Sequence, residues 1–312
     1  MWHACRSMAL VAALLLAGCE TLGLPGSLTP APARSEMIYA GTLRNELIRF
    51  NAGNPGVVLA RLPITGMQPG ERLLGMDFRP ADGNLYALGT TFRLYIIDHL
   101  SGQATAVGSG PLAFKPVGRE FGFDFNPVVD RIRLVSDRGE NLRLHPDTGA
   151  VVDADPTRPG LQIDVSLRYD EEDENGGRLP RITAAAYTNS GVKEAKSTTN
   201  YAIDAILGVL VTQGQREGTS PAFPPATPNT GLLFTVGALG VQPDGAVSFD
   251  IAHGAASAAA SKTSEGGAAF ASFIPLGKNT SYLYQINLAT GAATVLGMID
   301  RGEPLTGIAI QP

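Results

Sequence analysis

Three aspartates in equivalent settings have the strongest claim to chemistry in this sequence. Asp77 stands in Gly75-Met76-Asp77-Phe78, Asp124 in Gly122-Phe123-Asp124-Phe125, and Asp250 in Ser248-Phe249-Asp250-Ile251. Each sits in a short run of strand-forming side chains, so a repeated architecture would carry all three to the same place. Carboxylates converging on one point repel one another unless a cation or hydrogen-bond donors offset them. Two chemistries meet that need. One is a hard-cation or polar-ligand site, since carboxylate oxygens suit calcium or magnesium. The other is structural, each carboxylate taking backbone N–H groups of the neighbouring repeat. The structural role is favoured, because a residue that recurs once per repeat usually serves the repeat itself.

The next chemical signal is Cys19. Arg6 supplies a minimal positive n-region, and Met8 to Leu16 is an apolar run too short to span a bilayer as a helix. It ends in Leu16-Ala17-Gly18-Cys19, which looks like a bacterial lipobox; the alternative is an ordinary secretory signal with a chance cysteine. On the lipobox reading, residues 1–18 are a lipoprotein signal peptide and Cys19 becomes the acylated N-terminus. Residues 19–36, rich in Pro, Ser and Ala, form a tether, and residues 37–312 are the folded domain. Glu20 rather than Asp follows the cysteine, which points to the outer membrane. Cys5 leaves with the signal, so the mature domain keeps no free thiol, and disulfides, thiolate ligands and Cys nucleophiles are excluded.

Other candidates are weaker. Asp170-Glu171-Glu172-Asp173-Glu174 is dense in oxygen ligands but lacks EF-hand spacing, so a solvated acidic loop is favoured over a weak calcium loop. Of the histidines, His3 goes with the signal, and His99 and His145 fall in equivalent turns expected to face solvent. With His253 they make no zinc-binding spacing. No G-x-S-x-G elbow, Walker loop or dinucleotide fingerprint is present. Tyr86, Tyr95, Tyr282 and Tyr284 alternate as core residues do. A net charge of −5 argues against nucleic acid as partner.

These residues need a scaffold of strands. The chain is 17% charged, with 37 Gly and 22 Pro, and no segment sustains a helical apolar period. From Phe121 to Val152, period-2 alternation is broken by Asn126-Pro127 and Asp147-Thr148-Gly149, as in antiparallel strands joined by turns. Leu74 to Gly108 repeats the unit: GMDFRP lies over GFDFNP, NLYALG over RIRLVS, RLYIIDHLSG over LRLHPDTG, and QATAVG over AVVDAD. Further copies begin at Ile182 and Val247. The C-terminal LTGIAIQP supplies the first strand of a unit whose other three strands stand at the N-terminal end of the domain. The sequence therefore predicts an all-β, five-bladed β-propeller closed by a blade shared between the termini, with no open sheet edge at the seam. A β-sandwich followed by a second small β-domain is the competing architecture. In a propeller the innermost strands would bring Asp77, Asp124, Ala186, Asp250 and Ala309 to the central channel.

GFDFNPVVDRIRLVS, NLRLHPDTGAV, AAAYTNS and TVGALGV resemble a bacterial family known as domain of unknown function 4394, over about Met37 to Pro312. The resemblance implies a secreted or lipid-anchored propeller-like domain and carries no activity onto any residue. The acidic insert at 170–174 and an Ala/Ser-rich stretch at 255–264 set this copy apart. The expected function is a non-enzymatic binding or scaffold propeller of the cell envelope, with a protein or small molecule as ligand and no cofactor. The alternative is a metal-dependent, lactonase-like hydrolase using the channel carboxylates around an ion such as calcium. The sequence leaves the oligomeric state open.

Overall fold

Alternating apolar side chains and frequent turns fold the chain into short antiparallel strands, and the structure, a computed structural model, describes residues 1, 34–191, 195–217, 226–252 and 268–311. The lipobox with Cys19, as well as Cys5, His3, His253 and the 255–264 stretch, lies outside the described residues. The chain divides into Met1–Ala31 and Pro32–Pro312, and the fold is that of the second unit.

In the first blade, β1 (Met37–Thr42), β2 (Glu46–Asn51) and β3 (Val58–Pro63) pair in order. The second holds β4 (Leu73–Phe78), β5 (Leu85–Gly89), β6 (Leu94–Ile97) and β7 (Ala104–Val107). The third has β8 (Phe121–Asn126), β9 (Arg131–Ser136) and β10 (Asn141–Leu144), after which the chain makes β11 (Arg168–Tyr169). The fourth contains β12 (Ile182–Tyr187), β13 (Asn200–Asp204), β14 (Val209–Gln213) and β15 (Leu232–Ala238). The fifth contains β16 (Pro243–Ile251), β17 (Ala269–Pro275), β18 (Tyr282–Ile286) and β19 (Ala293–Met298). Finally β20 (Leu305–Ile310) pairs with β1, giving the order β20-β1-β2-β3. The innermost strands touch in a ring: β20 with β4, β4 with β8, β8 with β12, β12 with β16, and β16 with β20. This is the five-bladed propeller with its split blade.

The seam is apolar, as the alternation of the last strand predicts. Ile38 pairs with Ile310 and Ala40 with Ile308. These isoleucines pack with Ile48 and Phe50 in one buried cluster. The blades approach closely near the axis. A Cβ on Gly122 would stand 2.6 Å from the backbone nitrogen of Ala185 in the next blade, and one on Gly75 would stand 2.7 Å from Phe123 Cβ. Glycine is needed there for space.

The structure departs from the sequence reading in three places. The third blade lacks its expected outer strand: from AVVDAD only Val151 bridges Leu144, and the chain then crosses to β11, which pairs parallel with β15 at the edge of the fourth blade. Asp153 accepts the N–H groups of Asp155 and Gln162, and Asp155 those of Thr157, so local turns outcompete the ladder. Pro156 and Pro159 remove two ladder donors as well. Secondly, contacts with the domain begin before Met37. Arg34 donates to Gln285 at 2.6 Å and lies over the Phe270 ring, and Glu36 O accepts the Ala52 N–H. Thirdly, His99 and His145 are half-buried and not free in solvent. His99 is wedged edge-on against Tyr39 and Phe78, at 5.3 and 5.6 Å, because its turn packs against the first blade. His145 Nδ1 accepts the Asp147 N–H.

Candidate functional site

The ends of β4, β8 and β16 bring Asp77, Asp124 and Asp250 together on the axis, all buried, with a carboxylate oxygen of each within 4.8 Å of the others. Ala186 and Ala309 fill the equivalent places on β12 and β20. Each aspartate reaches across to the next blade. Asp77 accepts the Phe125 N–H at 2.9 Å, Asp124 the Tyr187 N–H at 2.9 Å and Asp250 the Ile310 N–H at 2.6 Å. Behind the alanine of β12, Asp250 serves its own strand as well, taking the Ile251 N–H. The carboxylates thereby satisfy backbone donors on four of the five inner strands, β8, β12, β16 and β20.

That arrangement is electrostatically loaded. Burial pushes the Asp77 and Asp124 carboxyls well up, with repulsion from Asp250 adding at Asp77 and repulsion from Asp77 and Asp250 at Asp124. Burial also pushes Asp250 up, from 3.8 to about 7, against the pull of the Ile310 and Ile251 N–H groups. Between those values the folded state holds more protons at Asp250 than the unfolded chain does. The stability this group contributes is therefore present at acid pH and lost as pH rises through about 7. Melting followed from about pH 5 to about pH 8 should show that decline. Asp250→Asn should melt lower at about pH 5 and follow a flatter profile, so that the gap narrows toward about pH 8; a profile parallel to the wild type would rule out a shifted proton at Asp250. A cavity lined by Gly75, Gly122, Ala184, Ser248 and Gly307 among others, and by none of the three aspartates, measures about 20 Å³, the scale of one water.

A larger feature lies between the third and fourth blades, where the outer strand is missing. A cavity of about 510 Å³ is lined by Asn126, Val128, Val129, Arg131, Arg133, Arg143, Tyr187 and Asn229, together with Val152, Ser197, Thr198, Thr227 and Pro228. Arg133 in β9 has a side chain only 2% exposed and pairs at 2.7 Å with Asp164, which is 1% exposed and comes from the crossover segment. Arg143 in β10 grips the same carboxylate with two nitrogens, at 2.8 and 2.7 Å. Arg133 also donates to Tyr187 Oη, Asn141 Oδ1 and Asn229 Oδ1. Burial works against its charge, but Tyr187 and Asp164 more than offset this and hold the guanidinium above its ordinary pKa. Tyr187 thus joins the two features, its N–H on Asp124 and its hydroxyl on Arg133.

In the sequence Arg131 and Arg133 read as the polar half of an alternating strand, and Asp164 lies in a stretch without pattern, so neither marks this cluster. One signal was present: Arg133 occupies the position held by Tyr86 in the preceding repeat. In the acidic segment, Asp173 is pinned to β15, accepting the N–H and hydroxyl of Thr235, while Glu171, Glu172 and Glu174 are exposed.

A family model described as Domain of unknown function (DUF4394) matches residues 46–309. No curated protein matches the chain. Among solved structures, a structural genomics protein of unknown function from Bacteroides thetaiotaomicron VPI-5482 is similar over 64% of this chain at 11% identity and a TM-score of 0.42. This chain spans only 44% of that protein's length. The nidogen/laminin complex is similar over 89% of this chain and 98% of the matched chain, at 11% identity and a TM-score of 0.43.

Proposed function

The chain belongs to the DUF4394 family, and we propose that it is a lipid-anchored binding propeller of the bacterial envelope. One observation carries the binding role. A rigid closed ring leaves one blade without its outer strand, and the gap is a cavity of about 510 Å³ with mixed polar and apolar walls, within the size range of small-molecule sites. The test is native mass spectrometry of the protein taken from its own membranes. A small-molecule adduct is expected, and Val129→Trp, at an exposed wall position, should displace it by filling the cavity. A bare mass for the wild type, or an adduct indifferent to Val129→Trp, would sink this reading.

The anchor rests on Cys19. Acylation there contributes about 0.8 kcal/mol per buried CH₂, and Cys19→Ser should release the protein from the membrane fraction into the periplasm or medium. A Cys19→Ser protein that still sediments with membranes would refute lipidation at this residue.

The three axial carboxylates favour a second reading, a divalent-ion hydrolase. Calcium takes about 6–8 oxygen ligands, whereas each aspartate has an oxygen committed to a backbone donor. We therefore favour the structural role for the triad. Added calcium should leave the melting temperature of the wild type and of Asp124→Asn unchanged, Asp124→Asn costing about 1–3 kcal/mol in both conditions. A calcium-dependent rise that vanishes in Asp124→Asn would reverse that preference.

A further inference from the structure

We infer that the cavity between the third and fourth blades binds a small organic anion, a carboxylate or phosphate carried on an apolar body; the inference rests on the binding role proposed above and names its ligand class. The argument is a census of donors and acceptors. Asn126 spends its side-chain oxygen on the N–H groups of Val128 and Val129, and Asn229 spends its oxygen on Arg133. N–H partners fix which end of each amide is the oxygen, and the two NH₂ groups have no partner among the described residues. The Tyr187 oxygen accepts from Arg133 Nε at 3.2 Å, which leaves its O–H proton to give. Arg131 donates only to the backbone oxygens of Val129 and Asp130 and has no carboxylate partner among the described residues. Among the described residues, the amide and phenol oxygens of this wall are spent internally, and their donors are left over.

Charge points the same way. Arg131, Arg133 and Arg143 line the cavity, and Asp164 is the carboxylate paired with the latter two. Glu217, behind Ser197, is occupied by Ser197, Thr188 and Asn189. The preceding blade provides an internal comparison. There Arg79 meets Asp82, Asp130 and Asp147, and its charge is fully answered within the protein. Guanidinium forks match carboxylate and phosphate oxygens alike. The exposed side chains of Val128 and Val129 supply the apolar part of the wall.

The test uses 4-phenylbutyrate and its neutral amide, titrated against the full-length protein by calorimetry. The acid should bind, weaken as salt is raised, and bind at least about tenfold tighter than the amide, the scale of one charge-assisted contact. Arg131→Gln should weaken the acid by about tenfold at an unchanged melting temperature, Arg131→Lys should restore part of it, and neither should alter the amide. Equal affinity for acid and amide would overturn the anion assignment while leaving the binding role intact. Failure of both probes to bind, or an Arg131→Gln protein that binds the acid as well as the wild type, would also overturn it. The membrane-derived adduct decides the binding role separately.

Discussion

A chain ending at Glu303 should fail to fold. The truncation removes β20, the innermost strand of the split blade, and with it the buried side chains of Leu305, Ile308 and Ile310. Burial of such side chains is worth about 1.5–3 kcal/mol each, against a total stability on the order of 5–15 kcal/mol. The loss goes beyond hydrophobic area. β1 would present an unpaired backbone edge where Ile38 and Ala40 now face Ile310 and Ile308. Asp250 would lose the Ile310 N–H and become a buried carboxylate with one donor fewer. Circular dichroism and thermal melting of the truncated chain are the measurement, with aggregation or absence of a cooperative transition expected. A soluble chain melting at an unchanged midpoint would mean that β20 does not close the ring.

Asp164→Ala should be strongly destabilising. It leaves Arg133, nine-tenths and more buried, without its carboxylate, and strips Arg143 of a two-point contact. Removing one partner of a buried ion pair costs about 3–5 kcal/mol, because the remaining charge is neither paired nor hydrated. For a domain of this size that is a fall in melting temperature on the order of 10 °C. Glu171→Ala, on the exposed acidic turn, is the control and should stay within about 0.5 kcal/mol of the wild type. The double variant Asp164→Ala with Arg133→Met should recover much of the loss, since an apolar side chain of similar length carries no desolvation cost. If Asp164→Ala melts with the wild type, the guanidiniums are solvated and the pair is not buried as described.

Tyr187 explains why the axis and the cavity should not behave as independent sites. Its backbone N–H is held by Asp124 and its hydroxyl by Arg133, so the ring that closes the cavity is fixed from the axis. Substitutions at Asp124 and Arg133 share a partner and are expected to be non-additive, as contacting residues generally are.

The repeat was legible in the sequence because strand alternation and turn residues are local properties. Gly75-Met76-Asp77-Phe78 and Gly122-Phe123-Asp124-Phe125 announce equivalent strands, and the apolar alternation of Ile308 and Ile310 announced the closing strand. The convergence of Asp77, Asp124 and Asp250 followed from that repetition, since equivalent residues in a ring must meet at its axis. The sequence by itself therefore determined the architecture and the axial aspartates. Only the tertiary structure decided what those aspartates do and where the cavity lies. Which N–H groups each carboxylate takes depends on how neighbouring blades are set against one another, which no single repeat encodes. The missing outer strand of the third blade was a contest between a ladder and the turns of Asp153 and Asp155, with little in the pattern to favour either. Asp164 meets Arg133 and Arg143 only because the chain then crosses to β15. Contacts between residues this far apart in sequence are fixed by the path of the chain in space, and an ion pair leaves no periodicity to read.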